Sequence, residues 1–309
     1  MENEKIIEKI RGRKVGIALG SGGAKGISHI GVLEVLTRSG IKIEEVSGCS
    51  IGSIIGALFA AGVSFEKMKE LAFGINIRNL WKIFDFTLPA SSGFVKGKAV
   101  EKLLAEVLPV RKFEDLQIPF KCVAADVLTG EQVVFSSGDL IPAIRASISI
   151  PGFFVHYEYQ NHILVDGGIV NPLPIDLLTD SEFKIAVMVD DYRILKKFLK
   201  SRLTLKEKIE KHLFESMTPI VKNFSERIKK NDESEKSEQH KKNQMNFLGI
   251  LSHSIDNMTQ KLLKNDLSLD KADLIINPDV RKIPILAFHE GWKSYVAGIE
   301  AAEKILKMK

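Results

Sequence analysis

The chain has 309 residues, 45% of them hydrophobic and 27% charged, a composition that excludes a disordered chain, a collagen and a coiled-coil rod. Its 44 Lys and Arg against 39 Asp and Glu give a net charge of +5, with only 7% aromatics. A dedicated nucleic-acid binder concentrates more charge and more stacking side chains, so no nucleic-acid partner is expected.

The N-terminal stretch MENEKIIEKIRGRK has no uncharged apolar run of the kind a secretory signal needs. The longest weakly polar run, Ile51–Val63, is shorter than the roughly 20 apolar residues that span a bilayer. Cys49 and Cys122 form no CxxC pair and read as two reduced thiols. The expected location is cytoplasmic, with a peripheral place at the inner membrane surface left open.

In chain order, Lys14–Leu19 reads as a buried strand that runs into the glycine-rich segment Gly20–Gly26. Ile27–Arg38 reads as a helix stopped at Gly40, Glu45–Cys49 as a short strand and Ile51–Ala61 as a buried helix. Phe120–Asp126, Gln132–Phe135, Ile163–Val165 and Lys184–Val189 read as further strands. This alternation predicts an α/β fold with a mostly parallel central sheet covered on both faces.

The composition shifts after Asp191. Residues 191–232 hold twelve Lys and Arg against six Asp and Glu, and Leu205, Ile209, Leu213 and Met217 recur every fourth residue, as in a basic amphipathic helix. Pro219 ends it and is placed to start another. Residues 231–243 form a polar stretch, and Met245–Lys264 reads as another amphipathic helix. Ala272–Ile276 then returns as a strand and His289–Met308 as a closing helix. The expectation is one domain over 1–309, with 192–268 as a helical insertion.

The glycine-rich segment joins a strand to a helix, where backbone N–H groups stabilise negative charge. It matches neither GxxxxGK[ST] nor GxGxxG, because Lys25 holds the sixth position from Gly20. Gly48-Cys49-Ser50-Ile51-Gly52 matches GxSxG, the nucleophile elbow, in which small flanking residues let strand and helix pass closely. The alternative is a plain turn with Ser50 as a helix N-cap.

A nucleophilic serine needs a base. His212 and His253 fall in the charged segment and His289 opens the last helix, so none occupies the strand-end turn of a Ser-Asp-His triad. Asp166 does follow a strand and precedes Gly167-Gly168. It suits a base contacting Ser50 directly, and it equally suits an Asx turn. A free Asp titrates near about 3.9, so it assists serine only in a dry site where proton transfer accompanies attack.

Taken together, these segments resemble the patatin-like phospholipase family. Gly22-Gly23-Ala24-Lys25-Gly26 resembles its oxyanion loop (GG-x-[RK]-G), Gly48–Gly52 its GxSxG elbow, and Asp166-Gly167-Gly168 its DG[AG] motif. Arg145–Pro151 and Asn171–Pro174 resemble segments flanking that motif in bacterial-type members. The resemblance covers about residues 14–190 and resumes at about 272–305. Ser21 departs from it, standing where many members carry another glycine.

The resemblance implies a three-layer α/β/α fold and a Ser–Asp dyad with no metal, cofactor or histidine. Ser50 would be the nucleophile and Asp166 the base. The N–H groups of Gly22 and Gly23, with that of Ala24 or Lys25, would hold the oxyanion. The Lys25 side chain would orient the loop, meet a lipid phosphate or form a salt bridge. The implied reaction is hydrolysis of phospholipid or lysophospholipid acyl esters. Acyl transfer to another acceptor and non-catalytic lipid binding are the alternatives. The basic segment 192–268 would touch an anionic membrane or cap the domain.

Overall fold

The computed structural model describes residues 6, 8–74, 85, 95–189 and 267–307. These fall in one compact unit built from both ends of the chain, Met1–Tyr192 with Met258–Lys309. The expected helices at 205–217 and 245–264, and the expected insertion apart from its last two residues, lie outside the described residues.

The strands are β1 (Val15–Leu19), β2 (Ile43–Cys49), β3 (Phe120–Asp126), β4 (Gln132–Phe135), β5 (Tyr157–Tyr159), β6 (His162–Asp166), β7 (Phe183–Val187) and β8 (Leu274–Ile276). The helices are α1 (Ser28–Arg38), α2 (Ile51–Ala60), α3 (Phe65–Gly74), α4 (Lys98–Val107), α5 (Leu140–Ser147) and α6 (Gly291–Leu306). The fold is α/β, with a mostly parallel central sheet. β8, β7, β1, β2 and β3 run parallel in that order. β4 and β6 pair with β3 antiparallel, and β5 with β6.

Both faces of the parallel part are buried, which is why β1 reads VGIAL without alternation. On β2, Val46 faces α2, where Gly56 leaves room for it and for Phe120. From the other face, the Ser47 hydroxyl donates to the Pro174 carbonyl at 2.7 Å, and Cys49 packs with Leu177. A segment of 3₁₀ turn around Ile175–Leu177 therefore covers that side.

Some element boundaries depart from the sequence reading. β2 begins at Ile43 rather than Glu45, and β8 begins at Leu274 rather than Ala272. The closing helix runs Gly291–Leu306, so His289 sits in a preceding 3₁₀ turn rather than in the helix. β6 is the arm of a hairpin with β5, a strand the sequence reading leaves unassigned.

Candidate active site

The site is assembled where two strands end against each other. Cys122 pairs with Gly48 of β2 on one edge of β3 and with Phe135 of β4 on the other. Ala124 pairs with Val133 of β4 and with Asp166 of β6. Hence β2 and β6 share one edge of β3. β2 ends at Cys49 opposite Val123, and β6, running the other way, ends at Asp166 opposite Ala124. The next residue after Cys49 is Ser50, and its hydroxyl donates to Asp166 Oδ2 at 2.5 Å. Both side chains are buried.

Ser50 occupies the turn into α2 with φ 54° and ψ −122°. A non-glycine residue in that region carries strain of about 1–3 kcal/mol, which persists only where the surroundings enforce it. They do so here by close approach. A Cβ on Gly48 would lie 2.6 Å from the Gly52 carbonyl carbon, and one on Gly52 would lie 2.7 Å from that of Leu19. The Ser50 N–H donates to Ser147 Oγ at 3.0 Å, and its carbonyl accepts from Ser53 Oγ at 2.6 Å. Ser50 stands at the helix N-cap position but its side chain does not cap; it is turned to Asp166.

Asp166 makes the contact to Ser50 and closes the Asx turn at once, because the carboxylate has two oxygens. Oδ1 accepts the Gly168 N–H at 2.8 Å, closing the Asx turn, while Oδ2 accepts the Ser50 hydroxyl. The Asp166 N–H donates to the Ser149 carbonyl at 2.9 Å. Burial pushes this carboxyl up to about 6, against the hydrogen bonds from Ser50 and Gly168, which pull it down. Gly167 is required by contact, since a Cβ there would meet the Val123 carbonyl carbon at 2.8 Å.

The glycine-rich loop turns around this pair. Gly22 has φ 152° and Gly23 φ 55°, while Ser21 keeps a negative φ, so a serine is tolerated at that departure from the family pattern. The loop is pinned by Gly20 N–H to Val187 O at 3.1 Å and Ser21 N–H to Pro172 O at 2.8 Å. The Ala24 N–H donates to Ile285 O at 2.8 Å and the Lys25 N–H to Gly22 O at 3.2 Å. The Gly22 and Gly23 N–H groups have no partner among the described residues. Gly26 lets the loop press on Ile51, where a Cβ would sit 3.2 Å from the Ile51 Cβ, and one on Gly168 would sit 3.4 Å from the Ser21 Cβ. The three motifs thus converge in space.

Two residues given no role in the sequence reading support the site. His29 is fully buried, and its Nε2 lies 2.8 Å from the Gly20 carbonyl. Burial drives its imidazole down to about 4, outweighing that bond. The ring is therefore neutral with its proton assigned to Nε2, and Nδ1 has no partner among the described residues. Arg145, only 1% exposed, donates to Ser149 Oγ and the Lys96 carbonyl, each at 2.6 Å, and to the Val155 carbonyl at 3.0 Å. It also lies over the Phe154 ring at 5.1 Å. Arg145 thereby fixes the Ser147–Ser149 turn that braces both Ser50 and Asp166.

Among the described residues no histidine bonds to Ser50 or Asp166. His289 lies 3.8 Å from Glu290 with its side chain 43% exposed, and His162 Nδ1 lies 2.7 Å from Asp126 Oδ2. His212 and His253 lie outside the described residues. Cys49, beside Ser50, is held as a neutral thiol because burial, then Asp166 and Cys122, push its pKa up. No group of three or more His, Cys, Asp or Glu among the described residues could hold a metal ion.

Ser50 and Gly23 form part of the wall of an apolar cavity of about 150 Å³. Ile51, Ile54 and Leu58 line it along two turns of α2, with Met68 of α3, Leu104 of α4 and Phe153 completing it.

A model of the Patatin-like phospholipase family matches residues 17–179. The chain belongs to the patatin-like phospholipase family. An uncharacterized NTE family protein of Mycobacterium tuberculosis is 36% identical over 162 residues, covering 52% of this chain and 44% of that protein. Patatin-like phospholipase domain-containing protein 6 of Mus musculus is 32% identical over 191 residues, covering 60% of this chain and 14% of that protein. The chain therefore spans less than half the length of either relative. VipD from Legionella pneumophila aligns in structure over 96% of this chain and 67% of its own, with a TM-score of 0.55 and 14% identity, a likeness of fold alone.

Proposed function

We propose that this chain is a serine acyl hydrolase that cleaves acyl esters of phospholipids or lysophospholipids through a Ser50–Asp166 dyad. The observation that carries the reading is the 2.5 Å hydrogen bond from Ser50 to Asp166 in the wall of an apolar cavity. Family membership supports lipid hydrolysis as the reaction class.

Asp166 accepts the Ser50 proton as Oγ attacks the ester carbonyl carbon. The carbonyl oxygen gains charge and is met by the Gly22 and Gly23 N–H groups, with the N-terminus of α2 adding its dipole. Collapse expels the alkoxide of the leaving group, which takes the proton from Asp166 and leaves the acyl chain esterified to Ser50. Water then gives its proton to Asp166 and its oxygen to the acyl carbon. The fatty acid departs and the proton returns to Ser50. A base near 6 is far better matched to this exchange at neutral pH than a free Asp. Losing one oxyanion donor typically costs about 3–4 kcal/mol. The cavity takes the acyl chain.

Single-domain organisation with an insertion at 192–268, and contact of that basic segment with anionic lipid, belong to the same proposal. The test is release of fatty acid from phosphatidylcholine and lysophosphatidylcholine by wild type and Ser50→Ala. Release by wild type alone supports the reading, and equal release by both removes it. A product that appears only with an acceptor alcohol present would assign acyl transfer instead.

A further inference from the structure

We infer that the face surrounding the carboxyl ends of the parallel strands docks on a lipid bilayer, with Trp292 and Phe73 as the insertion point; the inference rests on the lipid-hydrolase reading above. Six large apolar side chains are exposed among the described residues, and five of them, Phe73, Val127, Leu128, Trp292 and Val296, belong to elements at this edge. β3 runs parallel to the strand that delivers Ser50, so the β3–β4 turn emerges on the same side. The turn carries Leu128, 70% exposed, just past the end of β3 at Asp126, itself two strand residues or roughly 7 Å beyond Ala124 at the level of the dyad.

The second cluster lies where the end of α3 meets the start of α6. Phe73 sets its ring edge-on to Tyr295 at 5.5 Å, and Trp292, 55% exposed, precedes Tyr295 by one helical turn. A Cβ on Gly291 would lie 2.9 Å from Ile27 and 3.2 Å from the Ala72 carbonyl. Ile27 and Ala72 are themselves cavity wall. The aromatic patch therefore adjoins the wall of the cavity proposed to take the acyl chain. Exposed Trp and Phe beside the wall of such a cavity suit the bilayer interface, where the ring is buried and the Trp N–H stays wet.

Among the described residues, lysines beside the patch lie in ion pairs. Lys293 bonds Glu290 at 2.9 Å, Lys69 bonds Glu34 at 3.3 Å and Lys67 bonds Glu70 at 2.9 Å. Lys69 also lies 3.9 Å from Glu66. These three lysines face four glutamates, so the patch carries no positive excess, which fits a zwitterionic rather than an anionic bilayer and predicts binding that added salt leaves intact. This separates it from the contact proposed for residues 192–268, whose excess positive charge would be screened.

The experiment uses the full chain with Ser50→Ala, so that vesicles stay intact, and with Trp81→Phe, so that Trp292 is the sole emitter. Vesicles of phosphatidylcholine with brominated acyl chains should quench Trp292 and shift its emission to the blue, at low and high salt alike. Trp292→Ala with Phe73→Ala should lower co-flotation about tenfold or more. The same pair in the Ser50-containing chain should leave hydrolysis of a short soluble ester unchanged. Absence of quenching, unchanged flotation of the double variant, or a Trp292-dependent dimer without vesicle binding would overturn the inference. Quenching in this chain together with no ester hydrolysis by the chain that keeps Ser50 would uphold the surface and remove the hydrolase reading.

Discussion

Ser50 and Asp166 meet because β2 and β6 end head-on along one edge of β3, at Val123 and Ala124. Ser50 follows a parallel strand and Asp166 ends an antiparallel one. Each arrives with its N–H already held by the same turn after α5, Ser50 on the Ser147 hydroxyl and Asp166 on the Ser149 carbonyl. Their separation is thus set by backbone rather than by two free side chains.

Asp166, raised to about 6, acts as a base only when ionised. As pH falls through about 6 the carboxyl is protonated and activity should fall with it. The pH dependence of kcat/KM on a soluble ester should show one acidic limb near that value. His289→Ala should leave the limb in place. A limb that moves or disappears in that variant would contradict a dyad.

The same shift has a cost in stability. A carboxyl whose folded-state pKa lies above its unfolded value favours the fold while protonated, and that contribution is lost as pH rises through about 6. Asp166→Asn should therefore unfold at higher denaturant than wild type above pH 7, by about 1–3 kcal/mol, with the gap closing in acid. Denaturation at the two pH extremes checks both halves.

His29 holds the start of the glycine-rich loop proposed to bind the oxyanion, through the Gly20 carbonyl. His29→Phe fills the volume but removes the bond. It should cost roughly 1–3 kcal/mol of stability. It should also lower kcat more than KM, because the loop is used most in the transition state. His29→Gln, which can still donate, should recover part of kcat.

Leu58 lies two turns of α2 from Ser50, roughly 12 Å along the cavity wall. Leu58→Trp should lower kcat/KM for long-chain esters about tenfold or more while sparing short ones. A uniform loss across chain lengths would place the acyl group elsewhere.

Much of this site was legible in the sequence, and the reason is steric. A glycine-rich strand-to-helix turn, GxSxG and Asp-Gly-Gly are each fixed by close approach, of the Ile51 side chain at Gly26 and of backbone at Gly48, Gly52 and Gly167. Strand direction left no such mark. Ile163–Val165 reads as a strand either way, and only the pairing with β3 and β5 shows that β6 runs backwards toward Ser50. The helix at Lys98–Val107 went unassigned although Val100, Leu103, Leu104 and Val107 carry helical spacing. Their partners come from α2, α3 and the turn after α5, far apart in the chain. Likewise His29 looks like one polar residue on an apolar helix until the fold brings it under Gly20. Arg145, Ser147 and Ser149 stood in the segment that resembled the family, but nothing in their spacing assigned them to bracing the dyad.

The most direct test is labelling by a fluorophosphonate, which reports nucleophilic attack at phosphorus without requiring the right lipid. Wild type should be labelled at Ser50, Ser50→Ala should be unlabelled, and Asp166→Asn should be labelled far more slowly while remaining folded. Labelling of Asp166→Asn at the wild-type rate would contradict the account, because Ser50 would then draw its reactivity from something other than Asp166.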